Sequence, residues 1–309
     1  MKLGEKLLPV ASLVALSVLL AIAAPEFLSA GNLADLLRRA SAVAIAAVGA
    51  TLVLCMGDVD LSVGSVIALS GVAGAFAMQA GVPVPLAVCV GIAVGAAAGL
   101  LNGVLAASLR IPSFIVTLGT LGALRGVALI VTSGESVSGL PRSLQRLAGD
   151  VGPVPVPLIL LAATATGAWF VLTRMRFGRH VYAVGSNRRA AELCGIQVER
   201  VRVGVFCAAG ALAGLSGMIF TSRLITGTPT VAEGLELDVI AAVVIGGGSL
   251  AGGVGTVGGT LVGTAIMQVL ANGCVLLGID PFVQKVLIGA IVIAAVAFDA
   301  YRRRAAGGA

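Results

Sequence analysis

Residues 61–109 read LSVGSVIALSGVAGAFAMQAGVPVPLAVCVGIAVGAAAGLLNGVLAASL and contain no charged residue. A membrane-crossing helix needs roughly 20 apolar residues. The run is therefore long enough for two crossings with a tight turn between them. A second uncharged run, Val239 to Ile279, has the same character. Neither alternates apolar and polar at every second residue, as strands of a membrane barrel do. In hydrocarbon the backbone must satisfy its own hydrogen bonds, which leaves helices. Shorter uncharged stretches fill much of the remaining chain: Leu7 to Pro25, Ala40 to Gly57, Val151 to Thr173 and Val203 to Ser222.

The composition excludes an ordinary soluble domain. Only 11% of residues are charged, against about 25% in soluble proteins, and 58% are hydrophobic. Glycine, at 43 of 309 residues, suits helices that pack closely through small side chains. Cys55, Cys89, Cys194, Cys207 and Cys274 form no CxxC pair and read as small packing residues. His180, the single histidine, has no metal-ligand neighbour, so no metal site is expected. Lys2 and Lys6 before an apolar run resemble a signal peptide. Ala23-Ala24-Pro25 is a poor cleavage site, however, so this is expected to be an uncleaved first helix.

Positive charge gives the orientation. Arg174, Arg176, Arg179, Arg188, Arg189, Arg200 and Arg202 crowd one loop, Arg302, Arg303 and Arg304 the C-terminus, and Lys2 and Lys6 the N-terminus. All three belong in the cytoplasm. The region of Glu233, Glu236 and Asp238, and the Gly- and Pro-containing segment from Gly134 to Pro155, belong outside. These anchors predict an all-α polytopic protein with about ten transmembrane helices and both termini cytoplasmic. Expected spans are 7–24, 41–57, 63–80, 84–107, 112–133, 154–173, 203–222, 237–250, 254–273 and 281–298. The eighth is short enough to suggest a broken helix. Arg38 and Arg39 then lie outside, on an expected amphipathic surface helix over 32–40 capped by Asn32.

Two stretches repeat. Asn102-Gly103 precedes Ile111-Pro112-Ser113-Phe114 and Leu118-Gly119. Asn272-Gly273 precedes Asp280-Pro281-Phe282 and Ile288-Gly289 at spacings that agree within one residue. The expected topology puts the first turn inside and the second outside. Helices two to five (about 41–133) and seven to ten (about 203–298) are then two inverted repeats within a single transmembrane domain spanning 1–309, a transporter device.

Several polar groups interrupt the apolar runs. Asp58, Asp60 and Ser62 lie between helices two and three. They suit either a capped turn, with Asp60 or Ser62 as N-cap, or a substrate path or gate. Asn102, Thr117, Gln268 and Asn272 lie in or near spans, where helix-to-helix hydrogen bonds compete with substrate contact. Arg125 suits snorkelling or a pair with Glu135. The Gly-rich segment 246–259 lacks the Gly-Lys-Ser/Thr ending of a phosphate loop and reads as a tight turn between close-packed helices. Within the basic loop, about 174–202, Asn187 to Leu193 reads as a short helix capped by Ser186 or Asn187 and ended by Gly195. Its residues Asn187, Ala190, Ala191, Glu192, Leu193 and Gly195 suit either a docking element or a topology anchor on the lipid. No catalytic constellation is present.

Together these segments resemble the permease subunit of bacterial ABC importers for ribose and related monosaccharides. The resemblance rests on Gly57-Asp58-Val59-Asp60-Leu61-Ser62-Val63-Gly64-Ser65, on Arg110-Ile111-Pro112-Ser113-Phe114 through Thr120, on Gly178-Arg179 with Tyr182 through Asn187, on Glu236 through Ser249, and on Asn272-Gly273. It covers roughly residues 30 to 300. At Asp58 many members of that family carry glycine. The resemblance implies a non-catalytic, multi-pass subunit of the bacterial inner membrane. Its implied partners are a second permease copy (homo- or heterodimer), a cytoplasmic ATP-binding subunit that holds ATP and Mg, and a periplasmic sugar-binding protein. No cofactor in this chain and no nucleic acid is implied. The helix beginning at Asn187 matches the element that docks in the ATPase. A different class, a secondary transporter driven by an ion gradient, would need intramembrane carboxylates, for which only Asp58 and Asp60 could serve.

Overall fold

The computed structural model describes residues 3–307, with side chains described over 8–297. Lys2, and the side chains of Lys6, Arg302, Arg303 and Arg304, on which part of the charge argument rests, lie outside the described residues. The first helix, α1, spans Leu3–Ala23, and a 3-10 turn over Pro25–Leu28 leads to α2, Ala30–Cys55. There follow α3 (Val63–Gln79), α4 (Val84–Ser108), α5 (Ser113–Thr132) and α6 (Val156–Arg174). Between α5 and α6 lie a 3-10 turn, Arg142–Leu147, and a minimal antiparallel hairpin of β1 (Asp150–Val151) and β2 (Val154–Pro155). Two short helices, α7 (Arg176–Ser186) and α8 (Arg188–Leu193), precede α9 (Val198–Leu224), α10 (Leu235–Ile245), α11 (Val257–Leu276) and α12 (Pro281–Gly307).

Six of these helices, α2, α4, α5, α6, α9 and α11, are long and apolar enough to cross a membrane. The apolar stretches of α1, α3 and α12, Leu8–Ala23, Val63–Gln79 and Pro281–Ala297, are shorter. At 11 residues, α10 rises only about 16 Å at 1.5 Å per residue, too short for a core of about 30 Å. The chain is thus a polytopic helical membrane protein.

The interior is built on α2 and α9. From Ser41 to Met56 every residue of α2 and its C-cap is buried, as befits a helix apolar on all sides. α9 lies against α2, α3 and α4, while α2 lies against α9, α10 and α11. α3 contacts α4 and α5; α10 contacts α11 and α12. The tightest seam joins α4 to α9. Gly95 and Gly99 face Gly210 and Gly214 so closely that a Cβ on any of the four would run into the opposing backbone. Close backbone approach through small residues replaces the hydrophobic drive that lipid cannot supply. On the outside, α5 exposes Phe114, Ile115, Leu118 and Ile130, and α6 exposes Ile159, Trp169 and Phe170. Such an apolar exterior is costly in water and suited to lipid.

The helix before Ala40 departs from expectation. There is no separate surface helix over 32–40: α2 runs unbroken from Ala30, and its cap is Ser29, whose Oγ accepts from Asn32 N at 3.3 Å. The uncharged run began only at Ala40, but Arg38 is held by Asp35 at 2.8 Å and Asp150 at 2.6 Å, so the helix extends nearly three turns further, to Ala30, with Arg38 paired. The expected eighth span, 237–250, ends at Ile245 because Gly246 begins a turn in which Gly247, Gly252 and Gly253 all take positive φ. Arg125 does not pair with Glu135. Its Nη1 donates to Pro229 O and, at 2.9 Å, to Val231 O.

Candidate functional site

The basic loop folds into a platform. α7 turns Gly178, Val181 and Val184 inward and its charges outward. α8 is capped by Asn187, whose Oδ1 accepts from Ala190 N at 3.0 Å, and Gly195 just beyond its end takes φ +81°. Ala191 is buried with Val181, Val184, Val198 and Val201. The other faces of α8 are open: Ala190 and Glu192 are exposed, and Leu193 is 81% exposed. Leu193 therefore takes no part in the core.

The platform is fastened to the helices beneath it. Tyr182 Oη donates to Gly255 O at 2.7 Å. Burial pushes its phenol above the ordinary value, with Cys55 adding to the shift, so the hydroxyl keeps the proton it donates. Gly253 N donates to Cys55 O at 2.9 Å. One turn into α9, Arg202 Nε and Nη2 donate to Asp58 Oδ2 and Oδ1 at 2.7 and 2.8 Å, and its Nη1 donates to Ala106 O at 2.9 Å. Both side chains are 8% exposed. Three elements meet at one guanidinium: the start of α9, the α2–α3 turn and the end of α4.

A second, mostly uncharged network grows from the same turn. Val59 N donates to Ser113 Oγ at 3.1 Å, and Thr117 Oγ1 donates to Val59 O at 3.2 Å. Asp60 Oδ1 accepts from Ser62 N at 2.8 Å and from Ser62 Oγ at 2.6 Å. Asn102 Nδ2 donates to Ser62 Oγ at 2.8 Å and Asn102 Oδ1 accepts from Thr120 Oγ1 at 2.7 Å. Ser62 stands at the N-cap of α3 but makes no side-chain cap bond; its hydroxyl is committed to Asp60. The network binds α3, α4 and α5 to one another, and all its side-chain members are buried.

Asp60, Ser62, Asn102 and Thr117 are therefore brought together, and Asp58 is turned away to Arg202. Gln268 and Asn272 are not part of this cluster. Asn272 exchanges amide bonds with Asn32, 2.8 and 3.1 Å, joining α11 to the start of α2. Gln268 is buried on α11, and its Oε1 has no hydrogen-bond partner among the described residues. Sequence reading counted Arg202 only as loop charge. The signal was present: Val198, Val201 and Val205 form an apolar helical stripe that Arg202 shares, and a cation on such a stripe needs a buried anion.

A family model described as "Branched-chain amino acid transport system / permease component" matches residues 32–296. The ribose import permease protein of Escherichia coli (strain K12) is 40% identical over 93% of this chain and 92% of its own. The L-arabinose ABC transporter permease protein of Azospirillum brasilense is 39% identical over 92% and 84%. The xylose transport system permease protein of Escherichia coli (strain K12) is 35% identical over 90% and 87%. No solved structure matches the chain.

Proposed function

The chain belongs to the permease-component family matched over residues 32–296, and from that premise we propose that it is the membrane permease subunit of an ATP-driven importer. Its cargo is a monosaccharide, a ribose-like pentose or a related sugar. One observation carries the reading: relatives named for ribose, arabinose and xylose each align with at least 90% of the chain.

Ten spans with both ends cytoplasmic account for α1 to α6 and α9 to α12, the eighth being a broken span in which α10 and the chain next to it cross together, with the platform of α7 and α8 inside. The packing pattern supports two inverted halves. Exchanging α2, α3, α4 and α5 with α9, α10, α11 and α12 maps the contact α4–α9 onto α11–α2, α3–α9 onto α10–α2, and α3–α5 onto α10–α12. The exposed Leu193 and the open faces of α8 support docking of a cytoplasmic ATPase, which binds the ATP and Mg. Force applied to α8 reaches the α2–α3 turn through Arg202 and Asp58 and drives alternating access. A second permease copy and a periplasmic sugar-binding protein complete an assembly in the bacterial inner membrane. Asp58 is neutralised by Arg202, which removes one of the two carboxylates an ion-driven transporter could have used.

The test is uptake of labelled ribose, arabinose and xylose by vesicles holding the chain with its ATPase and binding protein. Accumulation that requires ATP and both partners is expected. Accumulation without the ATPase, or its abolition by a protonophore while ATP is held constant, overturns the reading.

A further inference from the structure

α3 starts inside the body of the protein, its first turn packed against the segment that leads into α10. Gly64, in the first turn of α3, lies so near the chain leading into α10 that a Cβ there would stand 2.6 Å from Glu236 Oε2 and closer still to Ala232 O. Beside this meeting point lies a cavity of about 200 Å³ whose polar lining is Ser65, Arg125, Thr230, Glu233 and Glu236. Arg125 is 12 residues past Ser113 in the sequence, roughly 18 Å along α5 at 1.5 Å per residue. The cavity is therefore set within the apolar length of the helices, not at a rim.

The charges in it are arranged unusually. Arg125 Nη1 is held by Pro229 O and Val231 O. Its remaining N–H groups make no hydrogen bond among the described residues. Neither Glu233 nor Glu236 comes within ion-pair distance of any cation among the described residues. A guanidinium offers only donors and a carboxylate only acceptors. Left as neighbours that do not touch, they fit a ligand able to accept from one and donate to the other. A simple anion or cation satisfies one side only. A hydroxyl satisfies both, and adjacent hydroxyls do so at several points. The volume, below the roughly 300–1,000 Å³ of sites for drug-sized ligands, suits a small solute. Ionisable groups at such depth are costly unless they serve a path, and paired short helices at a repeat interface are where transporters hold cargo.

We propose that the cavity between α3, α5 and the segment entering α10 is a transit site for a polyhydroxylated solute, bound through Arg125, Glu233 and Glu236. The inference rests on the importer reading above and assigns its cargo a place within this chain.

The assembled transporter, in vesicles with its ATPase and binding protein, is assayed for labelled ribose, arabinose or xylose moved per ATP hydrolysed. Glu236→Gln is expected to lower that ratio at least fivefold, and Glu233→Gln, an exposed position that folding tolerates, at least twofold. In addition, Thr230→Cys should be labelled by a polar thiol reagent more slowly when the sugar and loaded binding protein are present. A ratio unchanged in both Gln variants while wild type transports overturns the site alone, as does equal labelling of Thr230→Cys with and without sugar. A wild type that moves none of the three sugars overturns the importer reading together with the site.

Discussion

Arg202 and Asp58 lie 144 positions apart, yet they form a two-pronged ion pair of 2.7 and 2.8 Å from which water is almost wholly excluded. Arg202 opens α9 and Asp58 sits in the turn between α2 and α3. The pair joins the helix that continues the α7–α8 platform to the turn that organises α3, α4 and α5. Removing one member strands the other in a poorly polarisable environment. Arg202→Met and Asp58→Asn are each expected to cost about 3–5 kcal/mol, read as a shift in unfolding of the detergent-purified protein. Replacing both by apolar residues should recover much of that loss. Two single losses that simply add in the double variant would argue against direct coupling.

The α8 platform gives a different expectation. Leu193→Asp, Glu192→Arg and Gly195→Trp all alter exposed positions, and the first two should leave the subunit produced at normal levels. Gly195 also has φ +81°, which disfavours any larger residue. All three are expected to weaken co-purification of the ATPase and to uncouple ATP hydrolysis from uptake. Normal uptake in all three would remove α8 as the docking element.

Glycines on two helices should respond oppositely to the same change. At Gly99 of α4, a leucine would collide with Phe206 O and Gly210 of α9; at Gly119 of α5, nothing lies within 4 Å. Gly99→Leu is expected to destabilise the protein by at least about 2 kcal/mol, and Gly119→Leu by roughly 0.5 kcal/mol or less. Thermal unfolding of the isolated subunit in detergent separates the two. Equal effects would contradict the α4–α9 seam.

Most of the fold was legible because charge marks where a helix leaves lipid. The uncharged run 61–109 resolves into α3 and α4, and the run from Val239 into α10 and α11. The reading faltered where charge is neutralised locally. Arg38 seemed to end a span, but Asp35 and Asp150 carry it inside the reach of α2. The same limit hid Arg202 among loop arginines and matched Arg125 with the wrong group, since carbonyl acceptors leave no mark in composition. Asp60, Ser62, Asn102 and Thr117 could be singled out as polar interruptions, and they do meet. Gln268 and Asn272 carried the same signal and lie apart from them, because a polar residue in an apolar run announces the need for a partner but not which helix supplies it.

The glycine seam bears on how this chain can change over generations. At Gly95, Gly99, Gly210 and Gly214 every larger side chain is refused by the protein's own backbone, so variation there is closed from within. Gly119, Gly122 and Gly126 on α5 meet no such refusal. Drift at those three positions is limited only by what lies beyond this subunit. A lineage in which they stay glycine thereby records a neighbour that the single chain does not contain.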